Sequence, residues 1–300
     1  MDTLANLKAF LAVAGSGSFS AAARALDLAP SVVTKRVDQL EHAVRRPLFR
    51  RTTRRVSLTE AGERLLPRVR ASVAEVDEVL AALARPDRDL EGHLRVKMPT
   101  TLGILYLGPV LAAFQSRHPR VSLDVVLTDR PLNPIEEGFD LALGAFPQAF
   151  RGALDVPLCP LERIACASPA FLATNGTPQH PRDLAALDAL SFLPTGSTWT
   201  FGSRSGPISV TVNPRLSAND NHVILAAARE GNGIAVLPRY VAGPSLRAGA
   251  LVQVLAEFPL SEMWLKAVVP ENRARVPRLV ALLEFLREHV GGQPPWEREE

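Results

Sequence analysis

Apolar residues recur at helical spacing through roughly the first ninety positions and at strand spacing afterwards, so the chain changes texture once. Leu4, Leu7, Phe10, Leu11 and Ala14 predict a first helix that stops at Gly15-Ser16-Gly17. Ser18 or Ser20 can cap a second, short helix whose inner face is Ala22, Ala23 and Leu26, small enough for close helix approach. Asp27-Leu28-Ala29 makes a turn, and Pro30 suits the first turn of a third helix, where its missing N–H would be unpaired anyway. Val33, Val37, Leu40 and Val44 form the buried stripe of that helix. Leu48, Phe49, Val56 and Leu58 then anchor a short two-stranded ribbon. Thr59 caps a long helix, with Glu60 and Glu63 near its positive end. Along it Leu66, Val69, Val73, Val76, Leu80 and Leu83 alternate steps of three and four, the spacing of a coiled-coil seam. Pro67 is expected to kink this helix or leave one carbonyl unpaired.

Residues 85–93 break the pattern and read as a hinge. Beyond it, residues 94–98 and 119–128 read as strands around a helical segment 102–116, and 141–143 as a further strand after a short helix. The alternation resumes with strands at 164–167, 234–238 and 264–269 and helices at 169–175 and 221–230. Strand and helix in turn predict an α/β domain with a largely parallel sheet. Pro277 to His289 is a final amphipathic helix, and 291–300 reads as a disordered tail.

Charge sharpens the division. Residues 1–60 carry ten Lys and Arg against five Asp and Glu, a net +5, so the other 240 residues carry −2 of the total +3. A basic first fifth on a near-neutral remainder points to a polyanion partner for that fifth alone. Two cysteines, Cys159 and Cys166, make no disulfide framework for 300 residues and fit a reducing compartment. No apolar run is long enough to span a bilayer and the N-terminus lacks signal-peptide order, so a cytoplasmic protein without membrane partner is expected.

The chemistry concentrates in residues 17–62. The open face of the third helix offers Ser31, Val32, Thr34, Lys35, Arg36 and Gln39, groups suited to base edges and phosphates. The ribbon carries Arg50, Arg51, Thr53, Arg54 and Arg55. An arginine run alone is usually a solvated face; directly after a helix-turn-helix pattern, a DNA-binding wing explains it better. The submotifs Ser18-Phe19-Ser20-x-Ala22-Ala23-x-x-Leu26, Pro30-Ser31-x-Val33-Thr34-Lys35-Arg36-Val37-x-x-Leu40-Glu41, Leu48-Phe49-x-Arg51-Thr52-Thr53-Arg54 and Leu58-Thr59-x-x-Gly62 together resemble the N-terminal domain of LysR-type transcriptional regulators. The resemblance implies a winged helix-turn-helix at 1–58, whose residues 29–44 enter the major groove, and a dimerising linker helix at 59–84. It implies double-stranded DNA as partner, a homodimer or homotetramer, and RNA polymerase contact. Arg45 stands where that family usually has Gly, and a non-glycine left-handed cap costs about 1 kcal/mol.

The remainder resembles the same family's effector domain through Asp140-Leu141-Ala142, Ala167-Ser168-Pro169-x-x-Leu172-Ala173, Gly176-Thr177-Pro178-x-x-Pro181-x-Asp183-Leu184 and Gly231-x-Gly233-Ile234-Ala235-x-Leu237-Pro238. This implies a periplasmic-binding-protein-like α/β domain over 94–290, with subdomain I at about 94–161 and 266–290, subdomain II at about 162–265, and a small-molecule effector between them. Ligands in such clefts lie beyond the carboxyl ends of strands. Candidate effector residues are therefore Thr100, Thr101, Thr128, Thr198 and Asn219, with Phe146, Trp199 and Phe201 as walls. Many relatives carry an arginine where this chain has Gly144-Ala145-Phe146, so the effector class stays open between a carboxylate and a neutral or aromatic metabolite, with Arg130 or Arg204 as other clamps. No metal-ligand spacing, nucleophile elbow or phosphate loop appears, so neither catalysis nor a cofactor is expected. A thiol-based redox regulator using Cys159 and Cys166, and an enzyme with a DNA-binding appendage, are the alternatives. Cys166 in an apolar strand reads as inert filler.

Overall fold

The computed structural model describes residues 2–51, 56–84, 90–130, 132–145, 149–292 and 294–297. Two compact units result, Met1–Gly92 with Asn133–Phe139, and His93–Leu132 with Asp140–Glu300.

In the first unit, α1 (Thr3–Ser16) starts where the Asp2 carboxylate accepts from the Ala5 N–H, and ends on left-handed Gly17. Ser18 caps α2 (Phe19–Ala25) by accepting from the Ala21 N–H. α3 (Pro30–Val44) follows, with Val33, Val37 and Leu40 of the expected stripe buried and Val44, in its last turn, exposed. β1 (Phe49–Arg51) and β2 (Val56–Leu58) pair antiparallel, Phe49 opposite Leu58. α4 (Glu60–Ala84) completes the N-terminal run. Phe10, Val13, Ala22, Ala23, Val33, Val37, Leu48 and Phe49 share one core. Each large side chain there contributes roughly 1.5–3 kcal/mol by leaving water.

One expectation about α4 changes. Val69 and Val73, assigned from sequence to a dimer seam, are buried in the core of their own unit. α4 packs on α1 there, and Lys8 pairs with Asp77 at 2.6 Å. Val76 is the seam residue left exposed among those whose side chains are described, a set that excludes Leu80 and Leu83. Heptad-like spacing marks an apolar stripe without saying what covers it. Pro67 is accommodated inside the helix. A short helix, α7 (Pro134–Glu137), packs on α4, and left-handed Gly138 brings its backbone so close that an added Cβ would lie 2.7 Å from the Pro67 carbonyl oxygen.

The second unit holds two five-stranded sheets. The first has β3 (Gly92–Met98), β4 (Val121–Leu127), β5 (Leu141–Gly144), β6 (Ala153–Pro160) and β14 (Trp264–Pro270) in the order β4-β3-β5-β14-β6. The second has β7 (Arg163–Ala167), β8 (Ala189–Phe192), β11 (Pro214–Ala218), β12 (Ile234–Pro238) and β13 (Val252–Val254) in the order β11-β8-β12-β7-β13. β9 (Thr198–Phe201) and β10 (Ile208–Thr211) form a separate hairpin. α5 (Thr100–Leu102), a π-helical turn (Gly103–Leu107) and α6 (Gly108–Arg117) run consecutively after β3. The remaining helices are α8 (Pro169–Asn175), α9 (Asn221–Arg229), α10 (Arg239–Arg247) and α11 (Pro277–Val290).

Both sheets are mixed where a largely parallel one was expected. β3 and β5 run parallel, but β14 is antiparallel to β5 and β6; β12 is parallel to β8 and antiparallel to β7. The reversals involve the strands bordering the two crossings. The chain leaves the first sheet at Pro160, enters the second at Arg163, leaves it at Val254 and returns at Trp264. The C-terminal segment also differs from expectation. Pro295–Glu297 forms a 3-10 turn, and Trp296 is buried against Tyr106 and Tyr240, its ring centroid 5.2 and 5.8 Å from theirs. An apolar ring at the end of a polar tail finds cover that only the folded unit offers.

Candidate functional site

The first site is the open face of α3 and the ribbon beside it. Ser31, Val32 and Lys35 are exposed, and Thr34 and Arg36 half-buried; Ser31 and Lys35 lie opposite the Val33–Val37–Leu40 stripe, Val32 and Thr34 flank it and Arg36 sits at its edge. The Thr34 hydroxyl donates back to the Pro30 carbonyl at 3.0 Å. Gln39 is tied inward, its side-chain oxygen accepting from buried Asn6 of α1 at 3.2 Å, so it orients α3. Arg45 takes the left-handed conformation, φ 52° and ψ 36°, as the helix cap where glycine would be unstrained.

Glu41, at the end of α3, organises the ribbon. One of its carboxylate oxygens accepts from the Leu48 and Phe49 N–H groups, at 2.6 and 3.0 Å. Its other oxygen pairs with Arg51 at 2.9 Å, and the same Arg51 nitrogen reaches Asp38 at 2.6 Å. The Arg51 guanidinium also lies over the Phe19 ring, 4.8 Å from its centroid. Arg51 therefore stitches α2, α3 and β1 together, although it and Arg50 on the same strand are both exposed. Thr53, Arg54 and Arg55 lie outside the described residues. Thr59 caps α4, accepting from Gly62 at 3.1 Å and donating to the Pro47 carbonyl at 2.8 Å. A Cβ on Gly62 would overlap the Leu48 carbonyl oxygen, which explains the glycine at that step.

The second site lies at the carboxyl ends of β3, β4 and β5. The Thr128 N–H donates to the Met98 carbonyl at 3.0 Å, and the Thr128 hydroxyl oxygen accepts from the Arg130 N–H at 3.3 Å. The Thr100 N–H donates to Asp129 Oδ2 at 3.2 Å. Thr101 is 1% exposed, and its hydroxyl oxygen has no hydrogen-bond partner among the described residues. Lys97, absent from the sequence-derived candidates, is 2% exposed and donates to the Leu143 carbonyl at 3.3 Å, beside Gly144. Burial lowers its pKa to about 8; the Asp129 carboxylate opposes that shift and Arg130 adds to it. A lysine at an inward position of a strand covered on both faces was the available signal. Tyr240, at the start of α10 in the other half, is pushed well above the ordinary phenol range by burial, then by Asp129 and Tyr106. Tyr106, Tyr240 and Trp296 pack as a triangle, the two tyrosine centroids 5.9 Å apart.

Other sequence-derived candidates are not brought to these strand ends. Trp199 and Phe201 belong to the core of the second half, with Phe171, Leu184 and Val210, and are not ligand walls. Along β9 they alternate with Thr198 and Thr200, which face out; the Thr198 hydroxyl pairs with that of Thr211. Asn219 is exposed ahead of α9, where Asp220 supplies the cap. Phe146 lies outside the described residues. A separate cavity of about 390 Å³ beside the crossing strands is bordered by Arg163, Leu255, Phe258 and Met263 and by none of the candidate effector residues. The strand-end cluster is the better site, because hydrogen-bonding and titratable groups converge there.

Cys159 and Cys166 are both buried thiols, each pushed up to about 12 by desolvation, with Glu297 adding at Cys159. Neither is poised as a thiolate, which removes the basis for redox sensing. Among the described residues no group of three His, Cys, Asp or Glu side chains is placed to hold a metal, and no helix is long and apolar enough to cross a membrane.

Comparison with known proteins covers both parts of the chain. Residues 4–63 match the bacterial regulatory helix-turn-helix model of the lysR family, and residues 87–291 match the LysR substrate binding domain. The probable HTH-type transcriptional regulator LtrA of Klebsiella pneumoniae is 31% identical over 97% of this chain and 96% of its own length. The HTH-type transcriptional regulator PtxR of Pseudomonas aeruginosa is 31% identical over 97% and 94%. CrgA, a LysR-type transcriptional regulator of Neisseria meningitidis, is 30% identical with a TM-score of 0.58, covering 95% of this chain and 97% of that one.

Proposed function

The chain belongs to the LysR family of transcriptional regulators, and from that premise we propose how its two sites divide the work. Residues Ser31, Val32, Thr34, Lys35 and Arg36 read base edges from α3 in the major groove, while Arg50 with the wing-tip residues Thr53, Arg54 and Arg55 holds phosphates. Side chains of this kind on an exposed helix face supply base contacts, and arginines beside them supply salt-dependent affinity. Arg51 acts by positioning the wing. Gln39 acts by fixing α3 against α1. The observation that carries the DNA reading is the open, polar α3 face held in register by Glu41 and Arg51.

The effector unit senses a small molecule at the ends of β3 and β4, through Thr100, Thr101 and Thr128. The chain works in the cytoplasm without catalysing a reaction, as a homo-oligomer that signals to RNA polymerase from its operator. Fluorescence anisotropy with labelled DNA from upstream of its own gene tests the reading. Binding tighter than to scrambled DNA, weakened at least tenfold by Lys35→Ala, is expected. Equal affinity for both duplexes would sink sequence-specific regulation.

A further inference from the structure

The cavity of about 390 Å³ beside the crossing strands is bordered by both connections between the two sheets, residues 160–165 on the way out and most of 253–263 on the way back. Its walls are pinned by backbone hydrogen bonds. The Leu161 N–H donates to the Met263 carbonyl at 2.7 Å, and the Ser261 N–H to the Thr200 carbonyl at 3.1 Å. Leu255, Phe258, Leu260 and Met263 give the space an apolar lining. Leu255 holds φ 57°, a left-handed conformation that bulky residues rarely adopt, and strain of this kind collects at ligand clamps. Arg163, the first residue of β7, lines the same space, and burial lowers its pKa. One of its N–H groups donates to the Ser261 carbonyl at 3.0 Å. Its Nε is buried without a partner, and it forms no ion pair among the described residues. The carboxylates of the lining are placed otherwise. Glu162 is held by Arg239, Nη2 to Oε1 at 2.9 Å, Glu262 is exposed, and half-buried Glu297 acts on the Cys159 thiol.

We propose that this crossing cavity is a second ligand site, and that it takes a small monocarboxylate with an apolar body, the carboxylate on Arg163 and the body against Leu255, Phe258 and Met263. A guanidinium desolvated without a carboxylate partner is uncommon, because arginine is almost never fully buried unless paired. A ligand carboxylate supplies that counter-charge and accepts from more than one N–H of the planar fork. An amide supplies only an acceptor. Glu262 and Glu297 border the same space, so a second negative charge on the ligand meets like charge and a dicarboxylate is disfavoured. An apolar space with a few placed polar groups is the usual make-up of a small-molecule pocket. A molecule held here touches both connections between the sheets and none of Thr100, Thr101 and Thr128. It therefore braces the crossings independently of the strand-end site, and the inference does not rest on the reading of that site.

The test is isothermal calorimetry on the full-length protein with 3-methylbutanoate, 4-methylpentanoate and phenylacetate, each compared with its own primary amide, and with glutarate as the dicarboxylate. At least one monocarboxylate is expected to bind saturably, at least tenfold tighter than its amide and than glutarate. Arg163→Gln should weaken that binding at least tenfold. Ala256→Trp fills the cavity from an exposed position and leaves the guanidinium in place. It should weaken binding as much, so the criterion holds even where the arginine variant does not fold. Thr100→Val, at the strand ends, should leave the affinity within about twofold. No saturable binding of any of the three monocarboxylates overturns the site. Equal binding of acid and amide, glutarate binding as tightly, or undiminished binding by a folded cavity variant overturns it too. Binding lost in Thr100→Val but kept in Arg163→Gln moves the ligand to the strand ends and has the same consequence.

Discussion

Replacing Lys97 by Met should make the effector unit more stable at neutral pH, because desolvating the ammonium costs more than its hydrogen bond to the Leu143 carbonyl returns. Its pKa falls from 10.5 to about 8, with desolvation as the largest cause. Each unit is worth about 1.4 kcal/mol, so burying the ammonium costs the folded state about 3 kcal/mol. At pH 7 the lysine is protonated in both folded and unfolded chains, and the full cost applies. Between about pH 8 and 10.5 the unfolded chain still holds a proton that the folded chain has released. The unfolded state then binds more protons, so wild-type stability rises with pH through that window. Met is close in volume and carries no charge, so its advantage should be about 3 kcal/mol at pH 7 and should vanish towards pH 10.5. Urea unfolding followed by tryptophan fluorescence isolates the relevant transition, because all three tryptophans, Trp199, Trp264 and Trp296, lie in the effector unit. A difference between variant and wild type that does not change with pH, or a less stable variant at pH 7, would refute the reasoning.

Five further outcomes follow from particular contacts. Arg45→Gly relieves the left-handed cap of α3 and should stabilise the DNA-binding unit by about 1 kcal/mol, measured by thermal unfolding of that unit. Arg50→Ala should lower the salt dependence of DNA binding by up to about one unit of slope, read from anisotropy across a salt series. Arg51→Ala should leave that slope unchanged while destabilising the ribbon, because its partners are Asp38, Glu41 and Phe19; a slope lowered as much as by Arg50→Ala would contradict this. Trp296→Ala should cost the effector unit about 3 kcal/mol by opening the Tyr106–Tyr240 cluster, seen as a lower urea midpoint. At pH 7.4 neither Cys159 nor Cys166 should react with a thiol reagent until the unit unfolds, since both are buried and protonated. Rapid native labelling would revive the redox alternative.

What was readable in advance followed from short-range pattern. The stripe Val33, Val37 and Leu40 specified which face of α3 is hidden, and therefore which residues it offers to DNA. The caps at Ser18 and Thr59 each depend on a hydroxyl and an N–H three residues on. The position of Thr100 after β3 likewise followed from strand periodicity. Alternation along Thr198-Trp199-Thr200-Phe201 is the local signal for the burial of the two rings.

The sequence by itself determined the helix-turn-helix, six of the effector unit's strands and the family, because each is written in local periodicity or ordered motifs. Only the tertiary structure decided which partners distant residues meet. It tied Arg51 to carboxylates 13 and 10 positions away and placed the Lys97 ammonium against a carbonyl 46 positions on. It spent Val69 and Val73 on their own core and buried Trp296 between aromatic rings from both halves. Charge, pairing and burial are properties of neighbours in space, and chain spacing constrains those only over a few residues.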